Sequence, residues 1–166
     1  MSTVLKLPSP EDVGSFFANL LGPPIESEGC PAEGFTCYAF AEYVNDEGEV
    51  NGIVACDLES AARLSASLTR IPKGVIDDSV RSGIVPDHIL ENLEEIFNIS
   101  SNLFPDSHRH RISLKKSYLE GEAAEQFAAL DSSILSAFEL EIMNYGPGKI
   151  CMASCAASSE NSSADD

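Results

Sequence analysis

Basic residues are scarce in this 166-residue chain: Lys and Arg number 10 against 27 Asp and Glu, a formal net charge of −17. A surface this acidic repels phosphate backbones and anionic lipid headgroups, which excludes nucleic acid and membrane surfaces as first-choice partners. No stretch approaches the roughly 20 apolar residues of a membrane span. The opening MSTVLKLPSP holds no apolar segment for secretion, so a cytoplasmic protein is expected. CxxC pairs are missing as well. The five cysteines, Cys30, Cys37, Cys56, Cys151 and Cys155, are an odd number, and several fall inside apolar strand-like runs. Reduced, buried thiols are the expectation; a zinc site of Cys151, Cys155 and a histidine is the alternative, with spacing unlike that of a zinc knuckle. Phosphate-binding glycine loops and nucleophile elbows are also absent.

What is present suits one folded domain over residues 1–155, since 43% of the chain is hydrophobic and only 22% charged. Residues 156–166 offer nothing to bury and are expected to be a disordered acidic tail. Ser9, Pro10, Glu11 and Asp12 form a helix start, a capping hydroxyl followed by proline and two acids, for a helix over about residues 9–21. Residues 22–34 read as a loop. Two strands, FTCYAFAEYV and EVNGIVACDL, follow around an NDEG turn, and both are apolar at nearly every position, as in a sheet covered on more than one side. LESAARLSASL reads as a small-residue helix with Arg63 away from its apolar side, and residues 69–85, with Pro72, Gly74 and Gly83, read as irregular.

HRISLKKSYL alternates like a strand, and its Arg111 and Lys115 form the one basic stripe. EGEAAEQFAAL fits a short helix or an ordered loop. SAFELEIMNYGPGKICMAS is a hairpin whose turn is read as GPGK. The order of elements predicts an α+β domain: a mainly antiparallel sheet with helices packed on one face.

The stretch DHILENLEEIFNISSNLFP carries the functional reading, as a helix over about residues 87–104. At about 100° per residue, Glu91, Glu95, Asn98 and Asn102 fall within roughly 60° of one another, opposite Ile89, Leu93, Ile96 and Phe97. An ordinary solvated face would explain such a stripe. Asparagine is nevertheless a poor helix former, and glutamates four apart repel, so neither choice is made for the helix's sake.

ENLEEIFNISSNLF resembles the signature helix of the CheC/CheX/FliY chemotaxis phosphatases, whose shared element is a glutamate and an asparagine spaced ExxN on an exposed helix. Glu95 and Asn98 match it, and the order of elements over roughly residues 35–155 is similar to that family's. ExxN also occurs at Glu141 and Asn144, on a predicted strand. The earlier helix LESAARLSASL lacks it, so the chain resembles the single-site CheX more than CheC, and a homodimer is implied by the resemblance.

That resemblance implies hydrolysis of the aspartyl phosphate of a CheY-like response regulator. The chain would need no cofactor of its own, because the regulator supplies Mg2+. Asn98 would orient the attacking water and Glu95 would pair with the regulator's lysine, while Glu91 and Asn102 would contact the partner. Small residues are usual in the family where Phe97 and Asn102 stand, and aspartate or serine where Glu91 stands. These departures favour the alternative, a non-catalytic CheX-like interaction module. A third option, a metal or acid–base site at DSHRHR from Asp106, His108 and His110, is opposed by the interleaved arginines, which repel a cation.

Overall fold

Ser9 opens the first helix, α1 (Pro10–Leu21), as its sequence predicts. Its hydroxyl accepts the Asp12 N–H at 3.1 Å, and Gly22, at φ 103°, ends the helix by donating to the Ala18 carbonyl. The computed structural model describes residues 4–131 and 135–155; the tail expected to be disordered, 156–166, lies outside them. Six strands follow α1 among the described residues: β1 (Ile25–Cys30), β2 (Ala39–Val44), β3 (Val50–Cys56), β4 (Ser113–Leu119), β5 (Leu135–Ile142) and β6 (Gly146–Ser154). They form one antiparallel sheet in the order β1-β5-β6-β3-β2-β4.

The remaining helices are α2 (Leu58–Leu68), α3 (Lys73–Ser82), α4 (Asp87–Ile99) and α5 (Glu120–Ala128). Ala39, Ala41 and Tyr43 of β2 and Phe138, Leu140 and Ile142 of β5 face the main core, which α1, α2 and α4 close. The alternate residues Phe40, Ile53, Ala55 and Cys151 face the other way, under Ala123 and Phe127 of α5 and Phe35. The expected α+β class is observed, and α5 covers the second face that the unbroken apolar runs of β2 and β3 require.

Four expectations are corrected. Residues 22–34 contain β1, an edge strand whose ladder to β5 runs from Ile25↔Ile142 to Cys30↔Ala137; it carries too few apolar residues to be recognised without its partner. Residues 69–85 contain α3, because Pro72 and Gly83 (φ 78°) are its ends rather than breaks in it. Ile76 anchors α3 against Ala62, Ala66 and Ile89, and Arg63 reaches Asp77 at 3.9 Å and the Pro147 carbonyl at 2.5 Å. The β5–β6 turn is Met143–Asn144–Tyr145, with Asn144 at φ 77°, and GPGK belongs to β6. Finally, the motif helix, expected to reach about residue 104, stops at Ile99 and continues as 3-10 turns over Ser100–Leu103 and Pro105–His108.

All five thiols are free. Cys151 and Cys155 are four residues apart along extended backbone, roughly 13 Å, which removes the shared zinc site. Burial pushes Cys37 and Cys151 up to about 12, and Cys56 higher still. Such groups stay neutral in the folded chain while ionising near 8.5 in the unfolded one, so their stability is complete below about pH 8.5 and is lost as pH rises. The urea midpoint should hold from pH 7 to 8 and fall between about pH 9 and 11, less steeply in Cys151→Ala. A midpoint flat to pH 11 would contradict this burial.

Candidate functional site

The outward face of α4 is set by what its flanks hold. On one side the Asn92 amide donates to the Ser65 carbonyl at 3.0 Å and to Thr69 Oγ1 at 2.8 Å, tying α4 to the end of α2. On the other, Ser117 of β4 donates to Glu94 Oε1 at 2.7 Å. Ile89, Leu93, Ile96 and Phe97 are buried beneath, Phe97 at 1% exposure. Between the two flanks Glu91, Glu95, Asn98 and Asn102 are all exposed, as the helical spacing predicts. Asn102 lies past the end of α4, in the 3-10 turn, beside Asp12 and Phe16 of α1.

Glu95 and Asn98 share one further property: among the described residues neither side chain has a hydrogen-bond or ion-pair partner. A free carboxylate and a free amide thus stand one turn apart on a packed helix. The amide both donates and accepts and is a poor nucleophile, which suits it to holding a water rather than reacting itself.

The turn that bears Asn98 is fixed from below. Three carbonyls near the end of α4 take side-chain hydroxyls, that of Ile96 in addition to the Ser100 N–H. Ser100 Oγ donates to Ile96 at 2.7 Å, Tyr43 Oη to Phe97 at 2.6 Å, and Ser101 Oγ to Asn98 at 3.3 Å. Tyr43 is fully buried, and burial holds its phenol protonated well above the usual range, so it remains a donor. These hydroxyls were not recognised in the sequence; the serines after Ile99 are a local signal, whereas Tyr43 lies 54 residues away. Tyr43→Phe removes the hydroxyl alone. It should cost about 1–3 kcal/mol, read as a lower urea midpoint, by leaving the Phe97 carbonyl buried without its donor.

The other candidates are dispersed. Asp106 accepts the Lys6 N–H at 3.0 Å, while His108 and His110 are exposed, with His110 and Arg111 beside the Asn45–Glu47 turn. Lys115 is the extra residue at a bulge in the β2–β4 ladder, so the expected basic stripe is not a continuous feature. Glu141 and Asn144, the second ExxN, sit at a strand end and in a turn. No helix among the described residues is long and apolar enough to cross a membrane.

No family model matches the sequence, and no curated protein matches it. Solved structures do match in fold. The FliM middle domain from H. pylori superposes with a TM-score of 0.50 at 9% identity, covering 93% of this chain and 88% of that one. A chain of the H. pylori FliG–FliM complex gives 0.52 at 7% identity, over 90% of this chain and 88% of that one. These FliM matches carry the fold assignment. The neighbours also include CheX, FliY and CheC-like chains, the group that the motif helix resembles. One, from the CheX–CheY–BeF3–Mg2+ complex of Borrelia burgdorferi, has a TM-score of 0.46 at 10% identity over 87% of this chain and 93% of that chain.

Proposed function

We propose that this chain is a CheX-like cytoplasmic helper that hydrolyses the aspartyl phosphate of a CheY-like response regulator. The observation that carries the reading is the pair Glu95 and Asn98, exposed and partnerless on the outward face of a helix pinned on both flanks. The regulator brings its own Mg2+ and most of the charge stabilisation. What remains is to place a water in line with the acyl phosphate, a task of positioning that a fixed amide can perform. Glu95 pairs with a lysine of the regulator and sets the register; Glu91 and Asn102 border the contact.

The excess of acid in this chain opposes approach to an acidic receiver, so association should quicken as salt is added at low ionic strength. The test is phosphate loss from an acetyl-phosphate-labelled receiver, with and without the protein. Faster loss that depends on Asn98 supports the reading; no acceleration of any receiver sinks it.

One observation favours a second reading, a non-catalytic interaction module: the FliM chains of this fold were solved in complexes with FliG and with SpeE. Saturable receiver binding without acceleration would select it.

A further inference from the structure

A cleft of about 400 Å³ opens where the ends of α1 and α2 meet the β5–β6 turn, away from the pair on α4; Leu21, Pro23, Ser67, Arg70, Asn144 and Tyr145 line it. The way α2 ends is unusual. Ile71 N–H donates to the Ala66 carbonyl at 2.9 Å and Arg70 N–H to the Ser67 carbonyl at 3.4 Å, the closure in which the residue at position 70 turns left-handed. Glycine normally fills that place because a Cβ is strained there; this chain has Arg70, at φ 58°. Three non-glycine residues among those described have positive φ, and two of them, Arg70 and Asn144, line this one cleft.

Arg70 is exposed and, like Arg109 and Arg111 but unlike Arg63 and Arg81, has no acidic partner among the described residues. Its guanidinium stands near enough to the Tyr145 phenol to oppose the rise that burial causes there, and the Tyr145 hydroxyl is itself committed to the Ile71 carbonyl at 2.6 Å. Ser67 is 2% exposed, and its hydroxyl, like those of Ser27, Ser65 and Ser154, has no hydrogen-bond partner among the described residues.

We propose that this cleft binds a small organic carboxylate. The Arg70 guanidinium takes the carboxylate through two parallel N–H bonds, the Asn144 amide supplies a further donor, and the ligand's apolar body rests on Leu21, Pro23 and the Tyr145 ring. A single cation beside an apolar wall matches a monoanion with a hydrophobic body better than a phosphate dianion. The site is separate from the receiver contact and does not depend on that reading.

The experiment is a titration of the full chain with benzoate, acetate and inorganic phosphate, followed by NMR at the Arg70 Nε–H and the Ser67 and Tyr145 amides. Benzoate should give saturable shifts in the millimolar range, acetate and phosphate weaker ones, and Arg70→Gly should weaken benzoate binding by about tenfold or more. Because glycine relieves the left-handed strain, that variant should keep or raise the melting temperature, by up to roughly 2 °C. The proposal is overturned if no probe saturates at tens of millimolar, if phosphate binds more tightly than benzoate, or if Arg70→Gly binds as well as the parent.

Discussion

Asn98→Ala should reduce the acceleration of receiver dephosphorylation by about a hundredfold or more, because the amide's whole contribution is to hold a water in line and the substitution leaves nothing in its place. The fold should be untouched: the side chain is exposed and has no hydrogen-bond partner among the described residues, so the unfolding free energy should change by less than about 0.5 kcal/mol. Glu95→Ala should fail differently. If the glutamate fixes register, its loss raises the concentration needed for half-maximal rate more than it lowers the plateau, whereas Asn98→Ala lowers the plateau. Asn98→Asp adds a further control, since it retains the shape but replaces the donor with a negative charge facing a phosphate. Rates that are equal for the wild type and Asn98→Ala would remove α4 from the chemistry.

The largest effect on stability is expected from a single methyl group. A Cβ at Gly148 would lie 2.6 Å from Ser60 Cα, 2.7 Å from Ser60 Cβ and 2.8 Å from Ser60 N, where there is no flexible side-chain end to move aside. The first turn of α2 is also stitched to β6 at this point: Ser60 Oγ donates to the Lys149 carbonyl at 2.8 Å, and Lys149 N–H donates to Asp57 Oδ1 at 3.1 Å. Gly148→Ala must therefore push the helix off the sheet or break those bonds, a cost of about 3 kcal/mol or more. The melting temperature should drop by roughly 6–12 °C. Gly74→Ala is the matched comparison, because nothing lies within 4 Å of a Cβ there and the residue sits within α3; it should stabilise by about 0.5–1 kcal/mol. If both variants melt together, the close approach of β6 to α2 is wrong.

Gly148 also marks where sequence reading stops. Its neighbourhood, Gly-Pro-Gly-Lys, has the composition of a turn, yet its glycine is there because Ser60 lies over it, a contact visible only once strand and helix are packed. The actual turn uses Asn144, whose left-handed φ is what asparagine tolerates best after glycine. Local signals performed well elsewhere. Ser9 and Pro10 mark the start of α1, and the 100° spacing sorted Glu91, Glu95 and Asn98 to the outside of α4 and Phe97 to the inside; Asn102 is exposed too, but in the 3-10 turn where that spacing no longer holds. What escaped was non-local. β1 has one buried residue, Ile25, and exists by virtue of β5, while the hydroxyl that fixes the Phe97 carbonyl comes from a strand 54 residues earlier. The candidate pair was legible, but the parts that hold it still were not.

The pairing of β1 with β5 also sets a schedule. Ile25 finds its partner at Ile142, so β1 leaves the ribosome long before the strand it belongs beside. At 5–20 residues per second, it waits on the order of ten seconds with its ladder unmade. During that interval α1 and the residues of β1 have no sheet to join, and the nascent chain exposes an acidic edge whose glutamates, Glu26 and Glu28, discourage it from pairing with a neighbour's strand.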